Sequence, residues 1–359
     1  MTDNPVLQRA NEFCARFQLR VPLILAPMAG VRAPRLSIAV AGAGGMGACG
    51  ALLMAPREID EWVAEVRAAT GGPLQLNLWI PDPPPVRDER REAAVREFLA
   101  SWGPPPTAEQ ASVRLPDFAE QCRAVLSAAP AVASSVMGLF PPAFVDELKS
   151  RGIAWFVTVS TVAEARAAEA AGADVIIAQG AEAGGHRASF DADAAERTLV
   201  GLFSLIPAVV DAVKVPVVAT GGIADGRGVA AALMLGASAV QIGTGFLRSP
   251  EAGIHPAWAS ALAQTMPEQT VVSRVFSGRA GRSIATGYVR AATAEGAPTP
   301  APYPVQRALT AAMRADAVEW GDVQRMQAWA GQSAALGPAL PAGDLVAKLW
   351  LDARELLNG

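Results

Sequence analysis

Short apolar runs, many of them β-branched, alternate along this chain with alanine-rich stretches whose apolar positions recur at helical spacing. The runs Pro22–Met28, Gly45–Ala51, Pro73–Ile80, Ala131–Met137, Ile153–Ser160, Ala173–Gly180, Val215–Gly222 and Ala237–Phe246 predict eight strands. Most are nearly unbroken, as expected of parallel strands covered on both faces. Thr161 and Glu164 form a capping box, and Gly172 follows the last periodic residue of the helix they open. Asp225 opens a later helix and Gly236 stops it. Strand–helix alternation implies a parallel sheet of the α/β class, and eight units predict closure into a (β/α)8 TIM barrel.

Two regions depart from the repeat. Residues 81–116 carry PDPPP, a charged run from Arg87 to Glu97, and GPPP. They read as an inserted loop and helix after the third strand, which places them over the C-terminal mouth of the barrel. The expected division is a barrel domain over 1–255, with that insertion, and a mainly helical C-terminal lobe over 256–359. Trp258, Trp320, Trp329 and Trp350 predict that the lobe packs on the barrel, since large aromatics bury much apolar area. Ala292–Pro304, rich in Pro, Ala and Thr, reads as an exposed loop.

Composition narrows the class. Lys and Arg total 30 against 34 Asp and Glu, a net charge of −4, so no basic face for nucleic acid is expected. Cys14, Cys49 and Cys122 stand far apart, which argues against a metal site or a disulfide framework. The N-terminal segment has no apolar h-region and no stretch has membrane-span length, so the expectation is a cytoplasmic protein without a membrane partner. Its oligomeric state is left open.

Barrel chemistry sits just past the strands' C-terminal ends. The sixth run ends in Gln179 and continues as Gly180-Ala-Glu-Ala-Gly184-Gly185-His186. Gln179 can donate and accept at the mouth, the glycines permit close backbone approach, and His186 can act as a general base. The bland alternative is a surface-loop histidine without a role. His255, before Pro256 and beyond the eighth strand, reads as an ordinary loop histidine.

The seventh and eighth runs end in Gly221-Gly222 and in Gln241-Ile-Gly243-Thr244-Gly245. Barrels build phosphate sites there from backbone N–H groups and a short helix N-terminus, so a phosphate-bearing cofactor is expected. The alternative is tight packing turns. Asn77, at the end of the third strand, needs a partner if buried: a cofactor ring or nearby backbone. Gly42-Ala-Gly44-Gly-Met-Gly47 matches GxGxxG, but a helix-like Ala33–Ala41 precedes it and a strand follows, the reverse of the dinucleotide-binding context.

These segments together resemble the nitronate monooxygenase family, formerly the 2-nitropropane dioxygenases. The resemblance runs through Leu25–Val31, Asn77, Gln179–Arg187, Thr220–Gly226 and Gln241–Leu247, with EAGGH at 182–186 the most specific part. It implies an FMN-binding barrel with an added helical lobe. Ala26, Pro27 and Met28 would lie against the flavin, and Asn77 and Gln179 would bond its polar edge. Gly184 and Gly185 would bring their loop close. Gly221, Gly222, Gln241, Gly243 and Thr244 would line the cofactor site, with Gly222, Gly243 and Thr244 on the phosphate. His186 would take the α-proton of a neutral nitroalkane, a step a nitronate does not need. Reaction with O2 would yield a carbonyl compound and nitrite. Leu25 stands where members often carry Gln, and Ser134–Gly138 lacks an aromatic that some relatives have.

EAGGH also occurs in flavin-dependent enoyl-thioester reductases, and related enzymes reduce quinones. An FMN reductase fed by NAD(P)H is therefore the first alternative. The second is a flavin-free barrel or a non-catalytic ligand-binding protein. None of Lys149, Lys214 and Lys348 ends a strand at the catalytic face, as a Schiff-base aldolase would need.

Overall fold

The computed structural model describes residues 4–31, 34–111 and 115–358, so Ala33 of the predicted helix and 112–114 of the insertion lie outside it. Among the described residues there are eleven strands: β1 (Leu23–Leu25), β2 (Gly47–Gly50), β3 (Leu74–Trp79), β4 (Val132–Val136), β5 (Ala154–Val159), β6 (Val175–Gln179), β7 (Gly185–His186), β8 (Val217–Thr220), β9 (Ala239–Ile242), β10 (Thr270–Ser273) and β11 (Gly281–Ile284). Eight pair in the order β1-β9-β8-β6-β5-β4-β3-β2, every pairing parallel. Met46 closes the circle: its N–H donates to the Leu23 carbonyl (3.0 Å) and its carbonyl accepts from the Leu25 N–H (2.9 Å). The result is the expected (β/α)8 barrel.

The predicted strands overran the observed ones by one to four residues at either end. The largest excess, at Ala237–Phe246, ends where Gly243 breaks the extended backbone and Thr244–Phe246 form a 3-10 turn. Both predicted caps form. The Glu164 N–H donates to Thr161 Oγ1 (3.2 Å), while Glu164 Oε2 accepts from the Thr161 N–H (3.1 Å). Asp225 Oδ1 accepts from the N–H groups of Arg227 (3.0 Å) and Gly228 (3.2 Å). The Gly42–Gly47 run is the turn from helix Pro34–Gly42 into β2.

Side chains inside the barrel form two layers. Ile24, Met46, Val132, Phe156, Ile177, Val218 and Ala239 pack with Phe13 and Phe17 of helix Pro5–Phe17, which plugs the N-terminal end. Two residues further along each strand, on the same face, stand Ala26, Ala48, Ser134, Thr158, Gln179, Thr220 and Gln241. Asn77 pairs in register with Ser134 and joins them. A floor that is apolar apart from buried Gln75, in register with Val132, thus carries a largely polar ring facing the mouth.

Helix Ala342–Asn358 packs against Gly226–Met234 and Pro34–Gly42, so the last helix of the chain completes the outer ring beside the first helix of that ring. The crossing is tight: a Cβ on Gly226 would lie 2.4 Å from Asp352 Cβ and 2.9 Å from Ala353 N. Gly226→Ala should lower stability by about 1–3 kcal/mol through overpacking, read as an earlier midpoint in chemical denaturation.

Between β9 and that helix the chain forms short helices and an antiparallel sheet in which β11 pairs with both β10 and β7. The lobe is therefore sewn to the loop after β6. Val95, Leu99 and Ala111 of the insertion share a core with Val275, Phe276, Tyr288 and Met313 of the lobe. Trp320, expected to help anchor the lobe, is instead 74 % exposed. The Ala292–Pro304 loop turns inward at its end, burying Ala301 and Tyr303.

Candidate functional site at the barrel mouth

The loops after the barrel strands enclose a cavity of about 440 Å³, within the range of small-molecule and cofactor sites. All thirteen residues singled out in the sequence border it: Ala26, Pro27 and Met28 after β1, Asn77 on β3, Gln179, Gly184, Gly185 and His186 around β6 and β7, Gly221 and Gly222 after β8, and Gln241, Gly243 and Thr244 at the end of β9. His255 does not. It caps helix Pro256–Gln264, its Nδ1 accepting from the Ala257 N–H (3.1 Å).

The β6 loop is held from within. Gln179 Nε2 donates to the His186 carbonyl (3.1 Å), and its Oε1 accepts from the Ala188 N–H (2.9 Å). Its amide therefore serves the loop before any ligand. Both Glu182 carboxylate oxygens accept from the Leu202 N–H (2.9 and 3.0 Å), placing the negative charge at the start of helix Leu202–Val210, where the helix dipole favours it. Buried Arg187 donates to the carbonyls of Gly180 (2.6 Å) and Gln179 (3.3 Å).

His186 stands between two indoles: Trp79 meets it edge-on with centroids 4.9 Å apart, and Trp329 lies at 4.8 Å. Its Nε2 is 2.8 Å from Ser277 Oγ. That hydroxyl donates to the Arg279 carbonyl (3.2 Å) and accepts from the Arg279 N–H (3.3 Å). The hydroxyl thus links the imidazole to the backbone of Arg279 in the lobe.

Burial first, and then the positive charges of Arg279, Arg307 and Arg314, push the His186 pKa down from 6.5 to about 3. The folded protein thus keeps this ring neutral where an unfolded chain would protonate it. Protons then favour unfolding across that window. The contribution of His186 to stability is complete above pH 6.5 and is lost as pH falls toward 3. Melting curves of the wild type and His186→Asn, taken from about pH 7.5 to 4.5, should diverge in acid, with the wild type losing more; parallel curves would refute the neutral burial.

The loops after β8 and β9 present donors. Among the described residues, the N–H groups of Gly222, Gly243 and Thr244 have no acceptor within the protein. Gly221 and Gly222 have φ of 112° and 67°, conformations that a side chain rarely enters. The amide edges are also unspent. Asn77 Nδ2 donates to Ser134 Oγ (3.0 Å), leaving Oδ1 without a protein partner among the described residues. Gln241 Oε1 accepts from Gln75 Nε2 (3.5 Å), leaving its own nitrogen without a protein partner among the described residues.

The lobe supplies what sequence reasoning missed. Its segment 330–333 fastens the loops together: the Gly331 N–H donates to Thr244 Oγ1 (3.0 Å), the Gln332 N–H to the Glu182 carbonyl (3.0 Å), and Ser333 Oγ to the Gly222 carbonyl (2.7 Å). Gly184 approaches this segment, not only the cavity. Arg307, Arg314, Gln327 and Trp329 complete the walls. Burial pushes the Arg314 pKa down to about 10, so it stays cationic at neutral pH. Trp79 was within reach of the sequence, two residues past Asn77 on the same strand; Trp329 was read only as packing, and Arg307, Arg314 and Gln327 carried no local signal.

None of the described helices is long and apolar enough to cross a membrane. The sequence pattern of the nitronate monooxygenase family matches residues 11–352. A nitronate monooxygenase of Paraburkholderia phytofirmans is 37% identical over 347 residues, covering 94% of this chain and 93% of that protein. The solved structure of a nitroalkane oxidase from Streptomyces ansochromogenes superimposes with a TM-score of 0.87 at 34% identity, covering 95% of this chain and 98% of its own. FabK from Thermotoga maritima follows with a TM-score of 0.75 at 27% identity, covering 97% of both chains. Since the match runs through the barrel and the lobe that completes its cavity, the chain belongs to the nitronate monooxygenase family, a family of oxidoreductases.

Proposed function

We propose that this protein oxidises alkyl nitronates with O2, to a carbonyl compound and nitrite, at an FMN held in the barrel mouth. The residues present suit that cofactor. The unpaired N–H groups of Gly222, Gly243 and Thr244, in the loops where barrels bind phosphate, would hold its phosphate. Asn77 Oδ1 and the Gln241 amide nitrogen offer an acceptor and a donor to a polar ring edge. Ala26–Met28, Gly184 and Gly185 border the same space. When bound, the flavin would supply the electron acceptor and the reaction with oxygen.

One observation carries the choice of substrate. The ionisable residues on the cavity wall are His186, Arg307 and Arg314, with no carboxylate among the described lining residues. A positively lined chamber attracts an anion and opposes a second proton on imidazole. A nitronate arrives as an anion. A neutral nitroalkane must first lose its α-proton, and a base works best with a pKa near the operating pH. The proposed base, His186, lies far below that, so nitroalkane turnover is the slower of the two activities.

The test is oxygen uptake by FMN-loaded protein given propionate 3-nitronate without NADH. Rapid uptake with nitrite release is expected. No uptake, with NAD(P)H oxidised by a quinone or an enoyl thioester instead, would transfer the site to the reductase reading. A protein that takes up no flavin would revive the flavin-free barrel or binding protein.

A further inference from the structure

Among the described residues, three other than glycine have positive φ: Gln18 (57°), Ala129 (44°) and Met137 (69°). The first two cap the C-termini of helices Pro5–Phe17 and Phe118–Ala128, where the left-handed conformation is ordinary. Met137 caps no helix. It follows β4 at the mouth of the barrel and forms part of the cavity wall. A side chain enters this conformation at a cost, and such strain persists only where the surroundings impose it.

The surroundings are specific. Met137 is 4% exposed and packs with Val136, Ala188 and Trp79. Trp79 in turn meets the His186 ring edge-on. The Met137 sulfur touches Arg279 Nη1. Arg279 holds Asp82 through Nε (2.8 Å) and Nη2 (2.5 Å). The next residue, Gly138, has φ of 152° and packs against Ile80, where an added Cβ would lie 3.1 Å from that side chain. Barrel, insertion and lobe therefore meet at this thioether, one from each of Met137, Asp82 and Arg279.

We propose that Met137 is a specificity-determining residue, which limits the length of the alkyl chain accepted beside His186. The inference rests on the nitronate reading of the site. The pinned backbone commits an unbranched side chain to the wall, and the Asp82–Arg279 pair keeps it from withdrawing. A thioether in that place leaves room for a short substrate and meets the tail of a long one. Removing it opens space lined by Val136, Ala188 and Trp79, all of which can face an apolar chain.

The experiment compares kcat/KM for ethyl- through octylnitronate in FMN-loaded wild type, Met137→Leu, Met137→Ala and Met137→Gly. The ratio for hexylnitronate over ethylnitronate should rise about tenfold or more in the Ala and Gly variants, the scale on which a hydrophobic pocket discriminates methylenes. Met137→Leu should keep the wild-type ratio. Thermal melting gives a readout independent of activity: Met137→Gly should melt above Met137→Ala, because glycine alone enters the left-handed region freely. Wild-type oxidation with unshifted ratios in both small variants would overturn this inference alone. A wild type inert toward every nitronate would overturn the reading beneath it. Met137→Ala melting at or above Met137→Gly would remove the backbone constraint on which the proposal stands.

Discussion

His186→Ala is expected to separate two substrates that differ by one proton. Turnover of neutral nitroethane should fall by about 10²–10⁴-fold, the usual contribution of a positioned base. Turnover of ethylnitronate should fall by less than about tenfold, because the anion needs no proton removed and Arg307 and Arg314 remain on the wall. FMN content should be unchanged, since none of the unpaired donors at Gly222, Gly243 and Thr244 belongs to the histidine. Steady-state oxygen consumption with both substrates at pH 7 is the measurement. An equal loss on both would show that the imidazole acts on the nitronate itself. Loss of FMN would make it a structural residue. In the wild type, kcat/KM for the nitronate should show no inflection near pH 6.5, because the ring titrates only near 3.

Gly184→Ala should disable the site from a different direction. A Cβ there would lie 2.5 Å from Gly331 N, 2.7 Å from Ala330 C and 2.8 Å from Thr244 Oγ1. Two of those atoms are backbone, so the lobe segment 330–333 or the β6 loop must move. A shift of the lobe segment strains the bond from the Gly331 N–H to Thr244 Oγ1, which stands beside the free donors, and a shift of the β6 loop moves Gly185 and His186 on the cavity wall. The expected cost is about 1–3 kcal/mol in stability and a rise of about tenfold or more in the Kd for FMN, equivalent to about 1.4 kcal/mol. Gly71→Ala is the control, because no atom lies within 4 Å of its added carbon. Denaturant unfolding and flavin titration of the two variants, side by side, decide the matter. A Gly184→Ala protein that matches Gly71→Ala in both would show that the lobe does not brace this loop.

The barrel was legible because its strands are buried on both faces. Each therefore reads as an apolar run, and capping residues such as Thr161 and Asp225 mark where helices begin. Strand ends were less legible. Apolar residues continue past the last pairing, as Phe246 does after β9, and only backbone dihedrals at Gly243 show the break. The candidate site was readable for a related reason: the chemistry of a barrel follows its strands, so Asn77, Gln179 and Gly222 could be located by counting from them. Roles were less readable than positions. Gln179 looked free to meet a ligand, yet its amide secures the loop that carries His186. Gly184 looked like an approach to a cofactor, yet its nearest neighbours are Ala330 and Gly331.

By itself the order of residues determined the eight strands, the helix caps and which side chains stand at the barrel mouth, because each depends on neighbours a few positions away. Only the tertiary structure decided that Ser277 holds His186, that Trp79 and Trp329 flank it, and that Arg307 and Arg314 charge its chamber. Those partners lie in part about 90 to 140 residues along the chain from the histidine. The proton affinity of a ring depends on burial and on charges near it in space, and neither can be counted along a sequence.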